Sequence, residues 1–218
     1  MRKRTTFNWA GAIALALCIS PAVHAQDART LARAVDAHYN HLTSLQASYS
    51  EHYTGLGLDR TETGTLLLKK PGRMRWSYND PVGKLFILDG KFAYSYTPGD
   101  AQAQRIRAKQ LDDLRSPLRF LLGHTELQKE LTGLAVTTAA NGLFTLSGTP
   151  AGMADHVHSI SLTVTASGII QNMRIEETDG SITDFNFTAI HENVPVSDSD
   201  FTFHAPAGVE VVDGLPPV

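Results

Sequence analysis

The residues able to do chemistry in this chain are few and poorly grouped. Its 218 residues include a single cysteine, Cys18, and nine histidines, eight of them beyond residue 25. Two histidine pairs have ligand-like spacing: His38 and His41 fall at i, i+3 of a helical stretch, and His156 and His158 at i, i+2 on one face of a strand. Either pair could supply two metal ligands, but no third or fourth ligand sits at a telling distance, so no metal is expected. Glu176 and Glu177 point to opposite faces of a strand, which makes them a poor acid/base pair. Gly83 with Gly90-Lys91 imitates a phosphate loop only superficially, because the interval is six residues and Phe92 follows where Ser or Thr should hold magnesium. There is no G-x-S-x-G elbow and no H-E-x-x-H. Arg105, Arg107 and Lys109 form a local basic patch, read as a solvated edge. These patterns predict neither an enzyme nor a cofactor.

Lys and Arg number 19 against 22 Asp and Glu, for a formal net charge of −3, with 42% hydrophobic and 19% charged residues. That composition excludes disorder and gives no electrostatic reason to expect nucleic-acid binding. The first 25 residues distort the average. Arg2, Lys3 and Arg4 form a positive n-region, Ala10 to Ile19 an apolar run too short to span a bilayer, and Pro21 ends it. Val23-His24-Ala25 presents small residues at the −3 and −1 positions of a cleavage site. Residues 1–25 read as a secretory signal peptide, and residues 26–218 as one domain exported to the periplasm. Cleavage removes Cys18 and three positive charges, leaving 16 basic against 22 acidic residues, or −6. No disulfide framework is then possible. Leu17 before Cys18 argues against a lipid-anchored form.

Such a domain needs elements to build it. Leu31, Val35, His38, Leu42 and Leu45 recur at helical spacing and predict a helix over 27–47, capped by Asp27. After Ser48 the period changes to two. Asp89-Gly90, Asn141-Gly142 and Asp179-Gly180 mark hairpins, with further turns at Pro98-Gly99 and around Pro81. Between them Met74, Trp76 and Tyr78 share one face, Phe92, Tyr94 and Tyr96 alternate with Ala93 and Ser95, and Ile160, Leu162 and Val164 alternate with Ser and Thr. Phe185 and Phe187 alternate with Asp184 and Asn186. Around 110–132 the regularity breaks: Ser116-Pro117 reads as the start of a short helix that Gly123 can end, and Thr125 with Gln128 as a capping box for another. The fold class expected is mainly β (α+β): a curved, mostly antiparallel sheet or partial barrel, with the N-terminal and middle helices covering its apolar face. The alternating apolar residues then either fill a core, the ordinary outcome, or line a ligand cavity.

One stretch is more specific. Residues 64–99 read GTLLLKKPGRMRWSYNDPVGKLFILDGKFAYSYTPG. They resemble the periplasmic lipoprotein carrier family, LolA, which runs G-x-x-x-x-[KR]-[KR]-P-x-x-x-x-W, then a Pro-containing turn, D-G-K, an aromatic strand and Pro. The run FTFHAPAGVEVVD, Phe201 to Asp213, is similar to that family's ending, and the Ser116-Pro117 helix and the N-terminal helix lie where the family has them. The order and spacing of these motifs cover nearly the whole chain after the signal.

The resemblance implies an unclosed antiparallel half β-barrel whose apolar concave face lies under a lid of helices. Inside it, lipoprotein acyl chains would cross the aqueous periplasm from the inner to the outer membrane. Burying each CH₂ stabilises by about 0.8 kcal/mol, so chains exposed to water would be prohibitive and a carrier needs a cavity for them. It places Met74 and Trp76 in the cavity wall, and strand alternation adds Leu66, Leu68, Phe92, Tyr94, Phe185 and Phe187. Leu118, Leu121 and Leu122 become lid residues. Lys70 stands where the family commonly has an Arg that hydrogen-bonds lid backbone groups; Lys lacks the planar fork, so a weaker latch is expected. Tyr94 and Tyr96 stand where Trp and Phe are frequent, implying a smaller or more polar wall. The implied partners are lipoprotein cargo, an inner-membrane ABC exporter (LolCDE) and an outer-membrane acceptor (LolB), with the carrier a monomer. The competing reading is a regulator that senses mislocalised lipoproteins with the same half-barrel. Such regulators usually append a second domain, and only six residues follow Val212 here. A third is an exported metal-dependent hydrolase using the paired histidines.

Overall fold

A computed structural model describes residues 27–113 and 125–214, the side chains of 111–113 excepted. Helix α1 (Ala28–His41) begins as expected: Asp27 is extended and its carboxylate accepts from the Thr30 amide at 3.3 Å. It ends six residues earlier than its apolar stripe suggested. Asn193 accepts from the Thr43 amide at 2.9 Å and Ser44 donates to the Val194 carbonyl at 2.6 Å, so contacts 150 residues away pull the chain into a strand at Ser44. Leu42 and Leu45 remain buried, the first beyond the helix and the second already in a strand.

Strands β1 (Ser44–Gly55), β2 (Leu58–Lys69), β3 (Arg73–Tyr78), β4 (Leu85–Leu88), β5 (Phe92–Tyr96) and β6 (Gln102–Arg107) follow as a meander. Short helices α2 (Ala108–Asp113) and α3 (Leu127–Glu130) flank the span that holds Leu118, Leu121, Leu122 and the Ser116-Pro117 start, all outside the described residues. A second meander comprises β7 (Leu131–Thr138), β8 (Phe144–Pro150), β9 (Val157–Val164), β10 (Ile170–Glu177) and β11 (Ile182–Glu192), before β12 (Glu210–Asp213). Together they form one open sheet in the order β12-β6-β5-β4-β3-β2-β1-β11-β10-β9-β8-β7, antiparallel throughout except β12 with β6. The five expected turns all fall between strands, but in longer connections than two residues. Asn141 and Gly142, both at positive φ, sit in a 3₁₀ turn, and Gly90 follows Asp89, whose carboxylate accepts from the amides of Lys91 and Phe92 at 2.7 Å.

Each face of the sheet buries something different. The concave face carries the main core, where Leu66, Leu68, Met74 and Trp76 meet Leu146, Leu162, Val164, Met173, Phe185 and Phe187 beneath Leu31, Ala32, Val35 and Tyr39 of α1. The convex face of β3–β6 carries a second cluster. Ile87, Ala103 and Phe201 are fully buried there although they lie outside the main core. The chain after β11 makes this cluster: Asp198 pairs with Lys69 and Arg73, and Arg75 donates to the Asp200 carbonyl. Phe203 then stacks on Tyr94 with ring centroids 5.1 Å apart, and β12 joins the sheet edge.

Candidate functional site

Between α1 and the concave face lies a small apolar cavity, open on one side and offering about 20 Å³ to the centre of a water-sized group, lined by Tyr39, Leu45, Ala47, Leu66, Ile170, Met173, Phe187 and Ile190. Four strands supply its floor and walls. Cross-strand register sets Ala47 opposite Leu66 and Tyr49 opposite Phe187, so the period-two pattern of each strand adds to one continuous apolar surface. The register of β11 slips by one residue beside Gln46–Ser48, with Ala189 at φ 47, and this bulge brings Ile190 to the cavity.

Polar ties at the margins hold the helix over the cavity. Lys70, just past the end of β2, donates from Nζ to the Tyr39 carbonyl at 2.7 Å. This puts a cation at the C-terminal turn of α1, where the helix macrodipole favours one. Burial lowers the Lys70 ammonium below its usual range. On the other flank Asn40 donates to the Thr125 carbonyl and accepts from the Thr125 amide at 2.7 Å, while the Asp36 carboxylate accepts from the Leu127 amide at 3.0 Å. Thr125 therefore does not cap α3 as its spacing with Gln128 suggested; Glu126 occupies that position. His38 Nε2 meets Glu192 at 2.7 Å, and His41 meets the Ala37 carbonyl, so the two histidines face separate partners. Tyr39 Oη accepts from the Ile170 amide at 3.2 Å, and burial pushes the phenol up to about 12.

Of the residues expected in the cavity wall, Leu66 and Phe187 line it, and Leu68, Met74, Trp76 and Phe185 belong to the same concave core. Phe92 and Tyr94 do not. Ala93 pairs with Leu88 and Ile106 on the concave side, so Phe92 and Tyr94 point the other way, and Tyr94 packs on Phe203. Their alternation is as expected but its parity is reversed: the small residue of the strand turns inward, and the C-terminal segment covers the aromatic side. Tyr39, Leu45, Ala47, Ile170, Met173 and Ile190 are in the wall without having been expected there, because a helix, four strands and a bulge bring them together. Of the basic patch, Arg105 is bound to Asp213 of β12 at 2.8 Å and lies 4.9 Å over the Phe92 ring. Among the described residues no group of three His, Cys, Asp or Glu is close enough to hold a metal ion, and no helix is long and apolar enough to cross a membrane.

The family model of the outer membrane lipoprotein carrier protein LolA matches residues 40–204. Outer-membrane lipoprotein carrier proteins of Cupriavidus taiwanensis and Nitrosomonas europaea are similar to this chain. The first is 26% identical over 210 residues, covering 92% of this chain and 97% of its own length; the second is 23% identical over 205 residues, covering 92% and 96%. Among solved structures, an uncharacterized conserved protein of Thermus thermophilus superposes with a TM-score of 0.55 at 13% identity, over 87% of this chain and all of its own. A DUF1329 family protein of Desulfovibrio piger superposes with 0.51 at 15% identity, over 80% and 95%. These two superpositions show a shared fold.

Proposed function

The chain belongs to the LolA family of outer membrane lipoprotein carriers, and on that premise we propose that it is a periplasmic chaperone carrying lipoproteins from the inner to the outer membrane. Their acyl chains would lie between α1 and the concave face. The observation that supports this reading is an apolar cavity roofed by one helix whose polar ties sit at its edges rather than within it.

The energetics agree with a roof that moves. Leu31, Val35 and Tyr39 of α1 are buried. At roughly 1.5–3 kcal/mol for each such side chain, about 5–9 kcal/mol holds the helix down. At about 0.8 kcal/mol per CH₂, some six to eleven methylenes of cargo would offset lifting it. With α1 down, the centre of a water-sized group has only about 20 Å³ to occupy, room for little more than one such group. Several long chains therefore enter only as α1 moves outward. Loading is lid opening and acyl burial, and unloading is downhill transfer to a more apolar partner. No covalent step is needed. The donor would be an inner-membrane ABC exporter, LolCDE, and the acceptor an outer-membrane protein, LolB, with residues 1–25 removed on export.

Purified protein should release newly made lipoproteins from spheroplasts into solution. Met74→Glu, which sets a charge in the concave core, should abolish release. Failure of the unaltered protein to release any lipoprotein would sink the proposal.

A further inference from the structure

The concave face changes character along β1. Ala47 lines the cavity and Tyr49 is buried at 3% exposure; Glu51 and Tyr53, on the same face, are only half-buried. From Ala47 to Glu51 is about 14 Å at roughly 3.4 Å per residue. An aromatic collar separates the two regions: Tyr49 lies edge-on to Trp76 and Tyr78, with centroids 4.5 and 5.8 Å apart, and Trp76 meets Phe185 at 5.7 Å. Beyond the collar Glu51 stands directly opposite Glu62 on β2, an arrangement that like charges disfavour.

Glu62 is compensated. Lys84 forms a short ion pair with it while lying 4.2 Å over the Tyr78 ring, and Arg60 approaches at 3.9 Å. Glu51 makes no hydrogen bond or ion pair among the described residues, and burial together with the Glu62 charge pushes its carboxyl above the usual range against the opposing pull of Arg60 and Lys84. Tyr49 Oη is the one buried side-chain polar atom among the described residues that lacks a hydrogen-bond partner. The Tyr78 hydroxyl lies close enough to act on it as a weak hydrogen-bond neighbour and both carboxylates act on it electrostatically, yet no bond of normal geometry reaches it. It sits over Gly64, the concave neighbour of Glu62, where a Cβ would come within 2.7 Å of it. Leaving such a hydroxyl unpaired costs about 1–3 kcal/mol unless something supplies a partner.

The geometry points to a head-group subsite at this end of the cavity: Glu51 and Tyr49 Oη accept hydrogen bonds from an N–H donor of the cargo whose acyl chains fill the space beyond the collar. The inference rests on the acyl-carrying reading and adds to it the end at which the polar part of the cargo emerges and the chemistry that receives it. An amide of the acylated polypeptide and an ammonium group share that chemistry.

Displacement of a fluorescent fatty-acyl probe by submicellar C12 amphiphiles separates these cases. Dodecanamide and dodecylammonium should bind about tenfold more tightly than dodecanoate, as a charge-assisted hydrogen bond allows. Whichever of the two binds more tightly identifies the source. Glu51→Gln and Tyr49→Phe should each erase most of that preference, Glu51→Gln in part by raising dodecanoate affinity as the repulsion between carboxylates is lost, and Tyr49→Phe should raise Tm. If Tyr49 were merely a core residue, its variant would raise Tm and leave the preference intact. That result, or the absence of any head-group preference in a protein whose affinity still grows with chain length, overturns the subsite alone. If no amphiphile of any chain length binds, the acyl-carrying reading fails with it.

Discussion

Gly168, in the turn between β9 and β10, touches α1 more closely than any side chain could. A Cβ there would lie 2.5 Å from the Ala34 carbonyl carbon and oxygen and 2.6 Å from the Val35 nitrogen, all backbone atoms of the helix. Ordinary contact begins near 3.4 Å, so Gly168→Ala displaces α1 by about 1 Å or distorts the turn. Its φ of +91 adds backbone strain of about 1–2 kcal/mol for any other residue. Crowding of a packed site adds about 1–3 kcal/mol. The sum, roughly 2–5 kcal/mol, lowers Tm by about 6–15 °C at about 3 °C per kcal/mol for a domain of this size. Gly180→Ala is the control: its φ is +86, but nothing lies within 4 Å of its Cβ, so it carries the strain without the clash. Thermal unfolding followed by circular dichroism measures both variants, and binding of a fluorescent acyl probe measures the cavity. The expected outcome is a larger fall in Tm for Gly168→Ala than for Gly180→Ala, with probe binding at 25 °C strengthened several-fold only in the former. Equal Tm values and unchanged probe binding would refute the idea that α1 is seated on this turn and roofs the cavity.

Lys70→Met removes the cation at the end of α1 and should lower Tm by a few degrees while speeding probe entry; Lys70→Arg should restore both, as stopped-flow binding would show. Glu51→Gln should raise Tm at pH 7. The folded carboxyl has a raised pKa, so its contribution to stability is present below the unfolded value near 4.5 and is lost as pH rises through the folded value. The Tm advantage of the variant should therefore vanish below about pH 4, and a scan from pH 3.5 to 8 checks it. Leu66→Ala should cost about 2–5 kcal/mol and alter probe affinity, because Leu66 lines the cavity. Tyr94→Ala, on the convex face against Phe203, should lower Tm and leave probe affinity unchanged; a weakened probe would mean that Tyr94 faces the cavity after all.

The strands at 73–78, 157–164 and 182–192 were legible because their apolar residues alternate over an otherwise polar partner set, which leaves one possible inward face. The start of α1 was equally plain, since Asp27 and the Leu31–Val35 spacing act locally. The end of α1 was not. Leu42 and Leu45 suit a helix as well as a strand, and Asn193 and Val194 decide between them. The Phe92-Ala93-Tyr94 strand shows the same limit from another side. Its sequence determines which residues share a face, but here both faces are covered, one by the concave core and one by Phe203. The larger side chains were no guide to which face turned inward. Composition and periodicity determined that this chain forms a curved, largely antiparallel sheet with an apolar side; that the sheet is unclosed came from the resemblance. Which residues enclose the cavity, and which face of each strand turns inward, was decided only by register, a bulge and a returning C-terminal segment, because those contacts join residues that no local pattern connects.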